Sequence, residues 1–472
     1  MREGSKHRPV WSWRWIGLAA VGCLLSPGRA AAQPAASGPL SLNDAIQLAL
    51  KNYPAIKESR ARARAADEGI GVARTAYLPR LDMLWQENRA TTNNVFGLVL
   101  PQSVVPPISG PVLGTRSYDS VWGSAAGVQL SWEALDFGQR KANVEVARAQ
   151  SSFAKAQTDL TALDAAAAAA DAFVTVLAAD EAVRAARANV NRLQVFADTV
   201  RTLVANQLRP GADESRANAE LAIAKNQLSQ AVQTADITRA ALADAIGAAG
   251  TAVEPATGGL GNLPQVPSLG AGDFPSHPAA RAELAVVETV RARERVLDRS
   301  YFPRVYFQSA FAGRDTGAQV PGQPPPDNGL WPQVPNWAAG LQVTFPAFDL
   351  FTVNARKRVE LQNELAERAR YDLTIQTLTT QDARARALMK AAIAIAQNTP
   401  IERQAATAAE SQARARYGSG LASITEVAEA QRLLAQAEAD DAVARLGVWR
   451  ALLAAAQVRG DLTPFLDQAR QP

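Results

Sequence analysis

The chain has 472 residues, 47% hydrophobic and 20% charged, with a formal net charge of +4, two histidines and a single cysteine. One cysteine excludes an internal disulfide and any thiolate metal cluster. Abundant alanine with turn residues gathered in a few places points to long helices with sharp interruptions.

Residues 1–32 read as a secretory signal. Arg2, Lys6, Arg8 and Arg14 form a basic n-region, residues 15–25 an apolar core, and Ala30-Ala31-Ala32 a small-residue cleavage site, so the mature chain is expected to begin at Gln33. The alternative is lipidation of Cys23, which Ala20-Val21-Gly22 precede. Residues 1–32 hold five of the 49 Lys+Arg and one of the 45 Asp+Glu, which leaves 44 of each. The basic excess therefore belongs to the signal, and the whole-chain charge gives no case for nucleic acid. Beyond the signal no run of about 18 apolar residues is expected, so any membrane span must be made of strands.

The mature chain divides into a first repeat (33–247), a Gly/Pro-rich linker (248–275), a second repeat (276–460) and a tail (461–472). In the first repeat the patterning predicts helices over 41–76, strands over 79–88 and 119–135, a long helix over 137–207, a tip at 208–213 and a helix over 212–247. In the second it predicts a helix over 278–300, strands over 303–312 and 336–346, a long helix over 350–417, a tip at 418–423 and a helix over 424–460. Tyr77-Leu78-Pro79-Arg80 recurs as Tyr301-Phe302-Pro303-Arg304, and Gly127-Val128-Gln129-Leu130 as Gly340-Leu341-Gln342-Val343.

Each element has a physical reason. Ser41 and Asp44 suit a helix start. Pro79 and Pro303 disfavour helix at the preceding residue, so each marks a helix-to-strand junction. Leu81, Met83 and Trp85, then Val128, Leu130 and Trp132, then Trp337, Ala339, Leu341, Val343 and Phe345 alternate with small or polar residues, the period-two pattern of strands with one apolar face. Val146, Phe153, Leu160, Ala167 and Val174, with Ala149, Ala156, Leu163, Ala170 and Leu177, make an alanine-rich heptad. Asp136 and Asp349 stand where they can cap the long helices. Two shorter helices placed end to end match one long helix in length.

Four strands with one apolar face cannot close a pore alone, so several copies are expected to share a barrel. Trp85, Trp122, Trp132 and Trp337, with Trp331 in a loop, fit membrane-interface aromatics; a soluble β-sandwich with these tryptophans in its core is the competing reading. His277 is the only histidine after the signal and reads as a helix start. With no cysteine, nucleophile elbow or phosphate loop, no enzyme, cofactor or metal site is expected.

The order helix, Tyr-X-Pro-Arg, strand, loop, strand, long helix, tip, helix, used twice, resembles the TolC family of outer-membrane efflux proteins. The sharpest local match is YGSGLASITEVAEA at 417–430. The resemblance implies a mainly α chain with a membrane β-barrel portion: a homotrimer with a 12-stranded outer-membrane barrel continued by a periplasmic helical tunnel. It also implies a periplasmic adaptor (membrane fusion protein), an inner-membrane pump and outer-membrane lipid as partners, and a passive export conduit. The non-barrel alternative is a periplasmic coiled-coil adaptor or spacer.

By the same resemblance Tyr417 and Asp213 fall on gate positions, and Glu426 and Glu429 on acidic entrance positions. Leu208, Arg209, Pro210 and Gly211, and Gly418, Ser419, Gly420, Leu421, Ala422 and Ser423, form the two adaptor-contacting tips. Two departures stand out: Ala422 occupies the family's gate-arginine position, and Gln207 the place of the glycine usual before Leu208. Independently, Glu426 and Glu429 at i, i+3 share one helical face just after a turn. Around a threefold axis that pair becomes a ring of six carboxylates, which favours cations.

Overall fold

A computed structural model describes residues 39–91, 118–265, 270, 272–317 and 328–470. The signal expected over 1–32, its lipidation alternative, and most of both strand-connecting loops lie outside these.

The Ser41 hydroxyl accepts from the Asp44 amide at 3.2 Å and starts α1 (Leu42–Asn52). Pro54 then opens α2 (Pro54–Thr75) at a position where its missing N–H has no intrahelical partner to lose. Beyond Pro79 the chain enters β1 (Arg80–Thr91), which pairs antiparallel with β2 (Ser120–Leu135). α3 (Gln139–Ala205) and α4 (Gly211–Ala245) complete the first repeat. The second runs α5 (Pro278–Arg299), β3 (Arg304–Thr316), β4 (Val334–Thr344), α6 (Leu350–Gly418) and α7 (Ile424–Val458), followed by α8 (Thr463–Ala469). The four strands form one antiparallel sheet in the order β1-β2-β3-β4.

α3, 67 residues and so about 100 Å long, is the spine. α2 and α4 lie along one side of it, α5 and α7 along the other, and α6 packs on the far side of α5 and α7. One edge of the protomer is therefore α2 and α4, and the other is α6. The main core sits at mid-height, where α1, α3 and α7 bury Ile46, Phe173, Val176 and Trp449 with Phe465 of α8.

The structure corrects several expectations. α3 does hold an 18-residue window apolar enough by length and composition to cross a membrane; 61% of it is buried inside the protein, where it builds this core. Its heptad is a continuous packed seam only from Ala167 on: Ala167, Ala170, Val174 and Leu177 are buried, whereas above them Ala156 is buried but Phe153 is 37% exposed. Asp349 precedes α6 but makes no capping bond, because its own backbone is already helical. The tail is not featureless. Phe465 stacks edge-on against Trp449 at 5.9 Å, and the Trp449 indole donates to the Asn262 carbonyl at 2.8 Å. The linker is thus tied to the core as well, through buried Val253 and Leu260.

His277 caps α5. Its Nδ1 accepts from the Ala279 amide at 3.1 Å, so Nε2 carries the proton and donates to the Gln457 carbonyl at 3.2 Å. Burial lowers its pKa from the ordinary 6.5, against the opposing pull of that carbonyl and of Asp164. A lowered folded pKa leaves the contribution whole above about 6.5 and removes it as pH falls below. The unfolding midpoint of the native protein is expected to drop between pH 7 and 5, and the drop to shrink in His277→Asn, which keeps a cap that does not titrate; equal drops refute the assignment.

Candidate functional site

The sheet is inverted relative to a soluble one. Directly paired residues share a face, and the register places Met83 opposite Val128, Val128 opposite Phe311 and Phe311 opposite Trp337. Leu81, Trp85, Leu130, Trp132, Phe307 and Leu341 belong to the same face. It is apolar and open: Met83 is 82% exposed and Trp337 80%. The other face carries Asp82, Gln129, Ser131, Gln308, Tyr306 and Gln342 beside small residues, among which Ala125 and Ala312 are buried. A Cβ on Gly127 would lie 2.7 Å from that of Ala312, so glycine permits the curl of the sheet. A contiguous apolar face of this size needs a nonaqueous neighbour.

The aromatics cluster around this face. Trp85 meets Trp331 edge-on at 5.9 Å, and the Arg89 guanidinium lies 5.5 Å from the Trp122 ring. At the base, the Trp132 indole donates to the Tyr77 carbonyl at 3.1 Å. The sequence reading placed Phe345 in the apolar run of the last strand but omitted Phe348 and Phe351, both strongly exposed below β4. Their signal was available as three phenylalanines at spacing three beside a strand-to-helix change.

Two junctions hold sheet to helices. At the first, Asp136 accepts from the amides of Gly138, at 3.2 Å, and Arg140, and pairs with the Arg140 guanidinium at 3.1 Å, while both side chains are buried. Burial raises the Asp136 pKa, but these donors outweigh it and hold the carboxyl below its ordinary range. The guanidinium also covers the Tyr77 ring at 4.9 Å. Phe137, forced to φ 50°, stacks at 6.1 Å on Phe302 of the second junction, which joins the two repeats beside Pro303.

At the opposite end of the helices the two tips converge on Tyr417. Its ring is buried with Phe196, Val200, Leu221 and Val427, and its hydroxyl donates to Asp213 Oδ2 at 2.7 Å. Arg209 lies over the ring, with its guanidinium carbon 4.2 Å from the centroid, and donates to the Tyr417 carbonyl. Burial, then the Asp213 carboxylate, push the phenol pKa up to about 12. Arg209 is the group that sequence reasoning missed as part of this cluster. It reaches Tyr417 from the other tip, while Ala422 is buried apolar wall. Leu208, Pro210, Gly211, Gly418, Ser419, Gly420, Leu421 and Ser423 are exposed.

The two acidic positions differ. Glu426 belongs to a capping box with Ser423, accepting from the Ser423 amide at 3.2 Å, and lies 3.7 Å from Arg416. Glu429 is exposed beside Arg432, whose guanidinium bonds to Glu220 at 2.5 Å. The tips share one chain-reversal geometry. The Leu421 amide donates to the Arg416 carbonyl at 2.8 Å around Gly420 at φ 81°, and the Leu208 amide to the Leu203 carbonyl at 2.9 Å around Gln207 at φ 61°.

Gln207 therefore adopts a left-handed backbone that glycine takes without steric cost. Gln207→Gly is expected to stabilise the protein by about 0.5–1 kcal/mol and Gly420→Gln to destabilise it by a similar amount, read from thermal unfolding; the reverse order refutes the tip geometry. The raised phenol pKa keeps the Tyr417 contribution whole below about pH 10 and removes it as pH approaches 12. Ultraviolet titration is expected to show one tyrosine ionising last, and Asp213→Asn to bring it earlier.

The model of the family described as outer membrane efflux protein matches residues 45–248 and 276–460. No curated protein matches the sequence. Among solved structures, the outer-membrane channel OprN superposes with a TM-score of 0.70 at 21% identity, covering 89% of each chain. The Vibrio cholerae outer membrane protein VceC gives 0.70 at 17%, covering 89% of this chain and 96% of its own. The open state of the Neisseria gonorrhoeae MtrE outer membrane channel gives 0.70 at 19%, covering 91% of each. These likenesses show the fold, a helical body continued by a small antiparallel sheet, and the family match over both repeats shows the relationship: the chain belongs to the outer membrane efflux protein family.

Proposed function

We propose that this chain is the outer-membrane exit duct of a tripartite efflux or type I secretion system, a passive conduit from an inner-membrane pump to the exterior. The observation that carries the reading is the sheet: an exposed apolar face, a polar opposite face, and two edges, β1 and β4, with no partner strand among the described residues. Hydrocarbon tolerates no open sheet edge, so β1 of one copy pairs with β4 of the next, and three copies close 12 strands. The same operation brings the α2 and α4 edge against α6 of a neighbour and turns three curved protomers into a tunnel. OprN and MtrE are described as outer-membrane channels, and MtrE as solved in an open state, which supports a conduit with more than one state.

The tunnel mouth is the tip. Tyr417, Asp213 and Arg209 tie the α6–α7 tip to the α3–α4 tip, the arrangement of a closed mouth. Glu429, exposed one turn inside, supplies a carboxylate ring for cations, with Glu426 shared between that ring and its helix cap. A periplasmic adaptor docks on the exposed tip residues and pries the two tips apart. The coiled-coil adaptor reading leaves the apolar sheet face without a purpose.

Purified full-length protein in detergent is expected to have the mass of a trimer and to give small, cation-selective steps in planar bilayers. Asp213→Ala, Tyr417→Phe and Arg209→Ala are each expected to enlarge the steps. A monomer that stays soluble without detergent and never conducts overturns the reading.

A further inference from the structure

The polar face of the sheet continues downward into a hollow between the sheet base and the upper helices. One cavity of about 770 Å³ is lined by Arg304, Tyr306 and Gln308 of β3, Gln342 of β4, and Asp349 and Arg356 near the start of α6. A second, of about 390 Å³, adjoins it and shares Val296, Leu297 and Arg356. Its walls are Val146 of α3, Val296 and Leu297 of α5 and Val359 of α6, and Arg293 and Arg356 flank them.

Arg293, Arg304 and Arg356 line the hollow and, like Arg358 on the same helix as Arg356, lack the carboxylate partners of other nearby arginines. Arg291 binds Glu288 and Glu364, Arg295 reaches Glu145, and Arg370 reaches Glu283. No described side chain forms an ion pair or hydrogen bond with the three. Two carboxylates belong to the same hollow: Glu360, which accepts from Asn363 at 3.3 Å, and Asp349 at the far end. The apolar pocket therefore has cations on two sides and one carboxylate, already hydrogen-bonded, at its margin.

We propose that this hollow is a transit site for amphipathic organic anions, the apolar body seated against Val146, Val296, Leu297 and Val359 and the sulfonate or carboxylate head held between Arg293 and Arg356, with Arg304 the next cation toward the exit. A planar guanidinium suits such heads because it donates two parallel hydrogen bonds. The inference rests on the conduit reading, since the cavity faces the lumen only if the polar sheet face does. With the carboxylates at the mouth it gives the duct two successive stations of opposite sign. Three copies repeat each station around the axis.

The test uses naphthalene-1-sulfonate as probe and 1-naphthylmethylammonium as its cationic counterpart, on the full-length protein in planar bilayers. The anion is expected to block the current reversibly, and the double variant Arg293→Gln, Arg356→Gln to weaken that block by at least tenfold. Block by the cation is expected to be the same in both proteins. Anion block unchanged by the variant, or none at all in a conducting protein, overturns the site. Calorimetric titration of the solubilised protein with the same anion, against a detergent blank, decides the site separately: binding lost in the variant supports it even if conduction fails and the conduit reading falls. Glu360→Gln, expected to tighten the anion, keeps the test informative if the double variant does not fold.

Discussion

The structure depends on one constraint: in hydrocarbon every backbone amide and carbonyl must find a partner inside the protein. Among the described residues a single chain supplies four strands and leaves β1 and β4 with one free side each. The alternation that turns Met83, Phe311, Trp337 and Leu341 outward also rules out folding that face against the chain's own helices. The free edges and the outward face have one joint solution, a barrel shared between copies. The helices follow the same geometry, since α2 and α4 on one side and α6 on the other are left as the lateral edges of an open, curved wall.

Each end of that wall is held by a different chemistry. At the sheet, buried Asp136 and Arg140 form a salt bridge of 3.1 Å that also satisfies helix-start amides, and Phe137 stacks on Phe302 across the repeats. These contacts are buried and locally complete, and suit a permanent joint. At the tip, one phenol links the two tips: Tyr417 donates to Asp213, lies under Arg209 and backs onto Phe196. Each of those interactions is individually modest, on the order of 1 kcal/mol, and Arg209 and Asp213 remain partly open to solvent. A contact set of that size is small enough to open under the proposed gating.

Legibility in the sequence followed the range of the interaction. The prolines at 79 and 303 marked both helix-to-strand changes because a missing N–H acts locally. The period-two runs marked the apolar face because alternation is a property of one strand. Both caps were expected, and that by Asp136 forms whereas that by Asp349 does not, because whether a side chain reaches the first amides depends on a backbone turn the residue name does not encode. The contacts of the tail and linker were not legible because they rest on single side chains, Phe465 and Leu260, meeting a core far away in sequence.

By itself the sequence determined the duplicated plan, the element types and the residues on the apolar strand face, because each follows from period, proline position or local capping. Tertiary structure alone decided which groups meet. Arg209, 208 residues from Tyr417, covers its ring. Arg293 and Arg356, from different helices, flank one apolar pocket. Side-chain spacing along one helix is set by the backbone; spacing between helices is set by packing, which alanine-rich seams permit but do not spell out.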